Sequence, residues 1–161
     1  MMLNVFKSLA VAKEVHREET LPAAARSYAR DTITLGWEER LKGRGRRMSD
    51  AGVEFGTALS RGVVLRQGDC FVLSDTVIAV VERPEPVLIV EPHTPAEWGL
   101  FAYHIGNSHQ PVMIVDDAIV CPDLPGMQQV LEYHAIAFSR ATRPFTPISS
   151  LGAGPGHRHQ A

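Results

Sequence analysis

Cysteine is scarce: Cys70 and Cys121 are the only two, far apart in a chain of 161 residues. That rules out a secreted disulfide framework, and without C-x-x-C spacing it gives no structural zinc site. Both sit among strand-forming residues, so buried free thiols are expected. Long apolar runs are also missing, and none approaches the roughly 18 residues that span a bilayer. The apolar stretch near the N-terminus is broken by Lys13 and Glu14 and has no small-residue cleavage site. No signal peptide and no membrane partner are expected, and the cytoplasm is the expected compartment. Charge of one sign is lacking too: the formal net charge is -2, which argues against nucleic acid as a partner. The local exception is Arg40-Leu41-Lys42-Gly43-Arg44-Gly45-Arg46-Arg47, read as a solvated strand face or, second, as a patch that docks an acidic protein. No aromatic residues interleave with these arginines to stack bases. Catalytic signatures are missing as well: there is no P-loop, G-x-S-x-G, H-E-x-x-H or G-x-G-x-x-G. Asp116-Asp117 reads as a hairpin turn, and no enzyme activity is expected.

What is present divides into two grammars. The first half carries short alternating or β-branched runs: Asp31 to Leu35, Gly52 to Phe55, Val63 to Leu65, Phe71 to Leu73 and Thr76 to Val81. Turn residues separate them at short intervals, which predicts a small all-β module. Leu21 to Tyr28, with Pro22 near its start, suggests a short helix. Arg83-Pro84-Glu85-Pro86 is the expected boundary, because two prolines in three residues cannot continue a central strand.

Beyond it, Val87 to Val90 reads as a buried strand, and Thr94-Pro95-Ala96-Glu97 combines a capping box with proline at the first helical position. Trp98, Phe101, Ala102 and Ile105 follow at helical spacing, and Gly106-Asn107 ends the helix. Strands are predicted at Val112 to Val115, Ala118 to Val120 and Ala135 to Phe138, with a helix from Pro125 to Tyr133. The fold class predicted is α+β in two domains. Residues 1–83 form a β-rich domain that docks a partner or peptide. Residues 84–148 form a ferredoxin-like βαββαβ metal-binding domain, and 149–161 a flexible tail containing histidine.

The seven histidines are the most informative residues. His104 falls in a last helical turn, where an imidazole can serve the free carbonyls or the negative helix end. His109 lies past the helix stop on a loop, exposed and available. His157 and His159 form an H-x-H pair whose rings point the same way if the backbone is extended. Imidazole suits nickel, copper and zinc, so these three histidines are the candidate metal ligands. The competing account of the pair is an unstructured tail with incidental histidines.

Tyr103-His104-Ile105-Gly106-Asn107-Ser108-His109-Gln110-Pro111 resembles the Y-H-[LI]-G-N-x-H-x-P segment of the urease accessory protein E family. Arg61 to Asp69 resembles that family's R-G-x-x-L-x-x-G-D segment, Glu85 to Leu88 its domain junction, and Arg143 to Pro147 the segment before its tail. The resemblance covers roughly residues 31 to 161. It implies a non-enzymatic nickel chaperone, a homodimer in which His109 meets its two-fold mate, with His157 and His159 adding ligands. It further implies delivery of Ni(II) to the urease accessory GTPase and the urease apoprotein, with Zn(II) or Cu(II) able to bind the same site. Two departures matter. The tail has two histidines where many members have long His-rich tails, so bulk nickel storage is not expected. Val120-Cys121-Pro122-Asp123 stands where some members carry a second H-x-H pair, so that auxiliary site is not carried over.

Overall fold

The structure, a computed structural model, describes residues 9–148. The chain divides after Arg83 into two compact units. Among the described residues no helix is long and apolar enough to cross a membrane.

The first unit contains two three-stranded sheets. In one, β4 (Glu54–Ala58) lies between β1 (Val11–Ala12), to which it is parallel, and β3 (Arg44–Met48), to which it is antiparallel. In the other, β6 (Thr76–Glu82) lies between β2 (Ala29–Leu35), in parallel, and β5 (Cys70–Val72), in antiparallel. Alternation decides what each strand buries. Ile33, Leu35, Phe71, Ile78 and Val80 enter one core with Phe55 and Leu59 from the first sheet. Val77 and Cys70 face the other way, onto Leu21 and onto Ala25 of a short 3-10 segment, Ala23–Ser27. Coverage on both faces explains why Thr76 to Val81 reads as a continuous apolar run.

Two sequence expectations fail here for one reason. Val63 to Leu65 is not a strand: Leu65 is fully buried, but its N–H bonds to the Arg40 carbonyl at 3.0 Å in irregular chain. Arg40 is not on a solvated strand face either. It ends the short helix α1 (Trp37–Arg40), is 0% exposed, and reaches Glu82 Oε1 at 3.1 Å and the Leu65 carbonyl at 3.2 Å. Apolarity and charge in a short run report burial, not conformation.

The second unit follows the predicted order of elements. They are β7 (Glu85–Val90), α2 (Pro95–Asn107), β8 (Met113–Val115), β9 (Ala118–Pro122), α3 (Pro125–Tyr133) and β10 (Ser139–Arg143). All strand pairs are antiparallel, in the order β10-β7-β9-β8. Leu88, Val90, Ile119 and Cys121 from the sheet pack with Ile105 of α2 and with Met127 and Leu131 of α3. Asp116-Asp117 is the tight β8–β9 hairpin turn the sequence suggested, with Asp116 at φ 53.

The last strand lies four residues later than Ala135 to Phe138. That segment instead closes α3: Ala135 sits at φ 52 and donates to the Glu132 carbonyl, and Ile136 donates to the Leu131 carbonyl. This is a Schellman cap, which leaves Ile136 buried as its hydrophobic anchor.

Candidate metal centre

Helix α2 leads to the candidate residue His109. Thr94 Oγ1 accepts from the Glu97 N–H at 3.1 Å, and the Glu97 carboxylate accepts from the His93 N–H at 2.6 Å. Pro95 supplies the first helical φ without wasting a donor. From that fixed start, Trp98, Phe101 and Ile105 fall on the face packed against the sheet. Ala96, Leu100, Tyr103 and Asn107 fall on the opposite face at i, i+4, i+7 and i+11, and Leu100 and Tyr103 are 54% and 64% exposed.

The helix stops at Ser108, whose Oγ donates to the Ile105 carbonyl at 2.6 Å. His109 is the next residue. Its N–H donates to the Gly106 carbonyl at 3.1 Å and its φ is 55, the left-handed conformation that usually belongs to glycine at this place. The side chain is exposed. Pro111 then turns the chain into β8, an edge strand on which Ile114 is 52% exposed.

The other end of the described chain returns to this point. Ile148 donates its N–H to the carbonyl of Val112 at 2.6 Å, three residues beyond His109. His157 and His159 lie outside the described residues.

His104 is the basic residue of the last turn of α2, at the negative helix end. Its ring stacks on that of His134 at the end of α3, with centroids 3.7 Å apart and planes 19° from parallel. Tyr103 and Tyr133 meet these rings edge-on at 5.4 and 4.9 Å. The structural role expected of His104 is thus helix-to-helix packing. His134 was not singled out from the sequence, although the repeat of Tyr-His at both helix ends was the available signal.

Cys121 and Cys70 are buried free thiols. Burial pushes the Cys121 thiol up to about 12, and the residue is 0% exposed. Among the described residues, no three His, Cys, Asp or Glu side chains converge as a metal site.

Residues 12–82 match the family described as UreE urease accessory protein, N-terminal domain, and residues 85–161 match its C-terminal domain. The chain belongs to the UreE urease accessory protein family. The urease accessory protein UreE of Burkholderia vietnamiensis is 35% identical over 132 residues, 81% of this chain and 66% of that protein. Those of Burkholderia ambifaria and Paraburkholderia xenovorans are 33% and 34% identical, covering 81% and 80% of this chain. The chain spans 65% and 57% of the length of those two relatives. UreE is an accessory family, not an enzyme family, in keeping with the missing catalytic signatures.

Proposed function

We propose that this chain is a nickel-binding chaperone of urease maturation that works as a homodimer, with His109 of both protomers as the central ligands. The observation that carries the reading is His109 itself, an exposed imidazole held in a left-handed conformation at a helix end. Backbone strain of this kind clusters at functional sites, and here it falls on an exposed imidazole. One imidazole is a poor site for a divalent cation, so a second copy must complete it. The exposed stripe of Leu100 and Tyr103 leading to His109, with Ile114 on the adjoining edge strand, supplies apolar surface of the sort a two-fold interface covers.

His157 and His159 are the auxiliary ligands. Eight residues separate Ile148 from His157, a reach of at most roughly 30 Å from Ile148, which bonds to Val112 three residues beyond His109. Tethering of that length raises the local imidazole concentration to about the millimolar range, enough to assist without locking the metal in. Ni(II) then passes to the urease accessory GTPase and the urease apoprotein. Zn(II) and Cu(II) compete for the same imidazoles, and cellular supply and handover select nickel.

The test is nickel titration by calorimetry on the full chain and His109→Ala, with native mass measured alongside. About one Ni(II) per dimer, lost on substitution, is the expected result. Tight binding that survives His109→Ala would overturn the assignment.

A further inference from the structure

The first unit carries a surface that metal binding does not use. Among the described residues, strand β3 ends its sheet, with β4 on one side and no strand on the other. Hydrogen-bond parity fixes which of its backbone groups are free. The N–H of Leu59 donates to the Gly43 carbonyl, whereas that of Gly56 donates to the Ala10 carbonyl on the β1 side. Residues 55, 57 and 59 therefore face β3, and their partners 43, 45 and 47 face β4. The N–H and C=O groups of Arg44, Arg46 and Met48 point outward, and all three residues are exposed.

The side chains there are one-signed. Arg47 is half-buried and engaged with Thr57 and the carbonyls of Glu39 and Lys42. Arg44 and Arg46 are exposed and, like Lys42, have no carboxylate within ion-pairing distance among the described residues. Alternation puts Arg44, Arg46 and Met48 on one face, where Met48 is 58% exposed beside a hollow of about 240 Å³ that Leu9, Arg46, Arg47 and Phe55 also line. Glu54 is the acidic group on its rim. Between the arginines, Gly45 has φ 150 and nothing within 4 Å of where a Cβ would stand, leaving room for another backbone.

We infer that the free edge of β3 takes an extended acidic segment of a protein partner as an added antiparallel strand. Its carboxylates, two residues apart, meet Arg44 and Arg46, and an apolar side chain two residues earlier sits by Met48 over the hollow. Charges on an edge strand can simply discourage pairing. Arginines of one sign do so only against basic or neutral strands; toward an acidic strand they select.

The probe is a capped peptide, Thr-Val-Thr-Glu-Thr-Glu-Thr, titrated into the 15N-labelled full chain. Saturable amide shifts centred on Arg44, Arg46 and Met48 are expected. Arg44→Glu with Arg46→Glu should weaken binding at least about tenfold, as should N-methylation of the peptide amides that face the edge. The methylated peptide leaves the protein untouched, so its loss cannot come from misfolding. Equal affinity for the methylated peptide, shifts mapping elsewhere, no saturation at millimolar peptide, or tighter binding of a short oligothymidylate would each overturn the inference. Nickel titration of the double variant should be unchanged, which keeps this outcome separate from that of the metal reading.

Discussion

Replacing His109 with glycine separates what this residue costs the fold from what it contributes to metal binding. A non-glycine residue in the left-handed region costs about 1–2 kcal/mol, and glycine gives back about 0.5–1 kcal/mol through its larger entropy loss on folding. The exposed imidazole buries nothing that the substitution would forfeit. His109→Gly should therefore stabilise the metal-free chain by roughly 0.5–1 kcal/mol, raising Tm by about 2–8 °C for a unit of this size. His109→Ala keeps a Cβ at φ 55 and should show no such gain. Both variants should lose the nickel site. Ala135→Gly is the internal control: it relieves the same strain at φ 52 on α3 and should gain similar stability while nickel binding stays intact. Calorimetric melting at one fixed chain concentration, paired with nickel titration, reads both quantities. If His109→Gly melts no higher than His109→Ala, the backbone argument fails. If both still bind nickel tightly, the ligand assignment fails.

Three further outcomes follow from buried groups. Arg40→Ala strands the Glu82 carboxylate beside a buried void and should cost about 3–5 kcal/mol in urea unfolding; a loss below about 1 kcal/mol would refute the buried pair. Cys121 should resist a thiol-specific disulfide reagent in the native chain and react once the chain is unfolded. Because its folded pKa is raised from 9.0 to about 12, the proton it retains contributes stability fully present below the unfolded value and lost as pH rises through the folded one. Unfolding free energy should thus fall between about pH 9 and 12, and less steeply in Cys121→Ala, which lacks that thiol. Matching slopes in the two proteins would sink the assignment.

Some of this was written plainly in the chain. Thr94-Pro95-Ala96-Glu97 starts a helix because its side chains and missing donor satisfy a helix N-terminus locally, whatever surrounds it. The β-α-β-β-α-β order, the Asp116-Asp117 hairpin and the exposure of His109 beyond a helix stop were legible for the same reason. The segment from Tyr103 to Pro111 carried the family. Val63 to Leu65 and Ala135 to Phe138 misled, since three or four apolar residues state only that something is buried there. Leu65 and Ile136 are buried, but in irregular chain and in a helix cap.

The sequence by itself determined the local signals: where helices start, where the chain turns, which strands alternate, and which histidines lie outside packed elements. These depend on groups a few residues apart, so spacing encodes them. Only the tertiary structure decided that Arg40 goes inside to meet Glu82, that His104 lies against His134, that Ile148 returns to Val112 beside His109, and that Arg44, Arg46 and Met48 face an open edge. Each of these joins residues distant in the chain or depends on which strand ends a sheet. Spacing carries no record of that, because it is set by how whole elements pack.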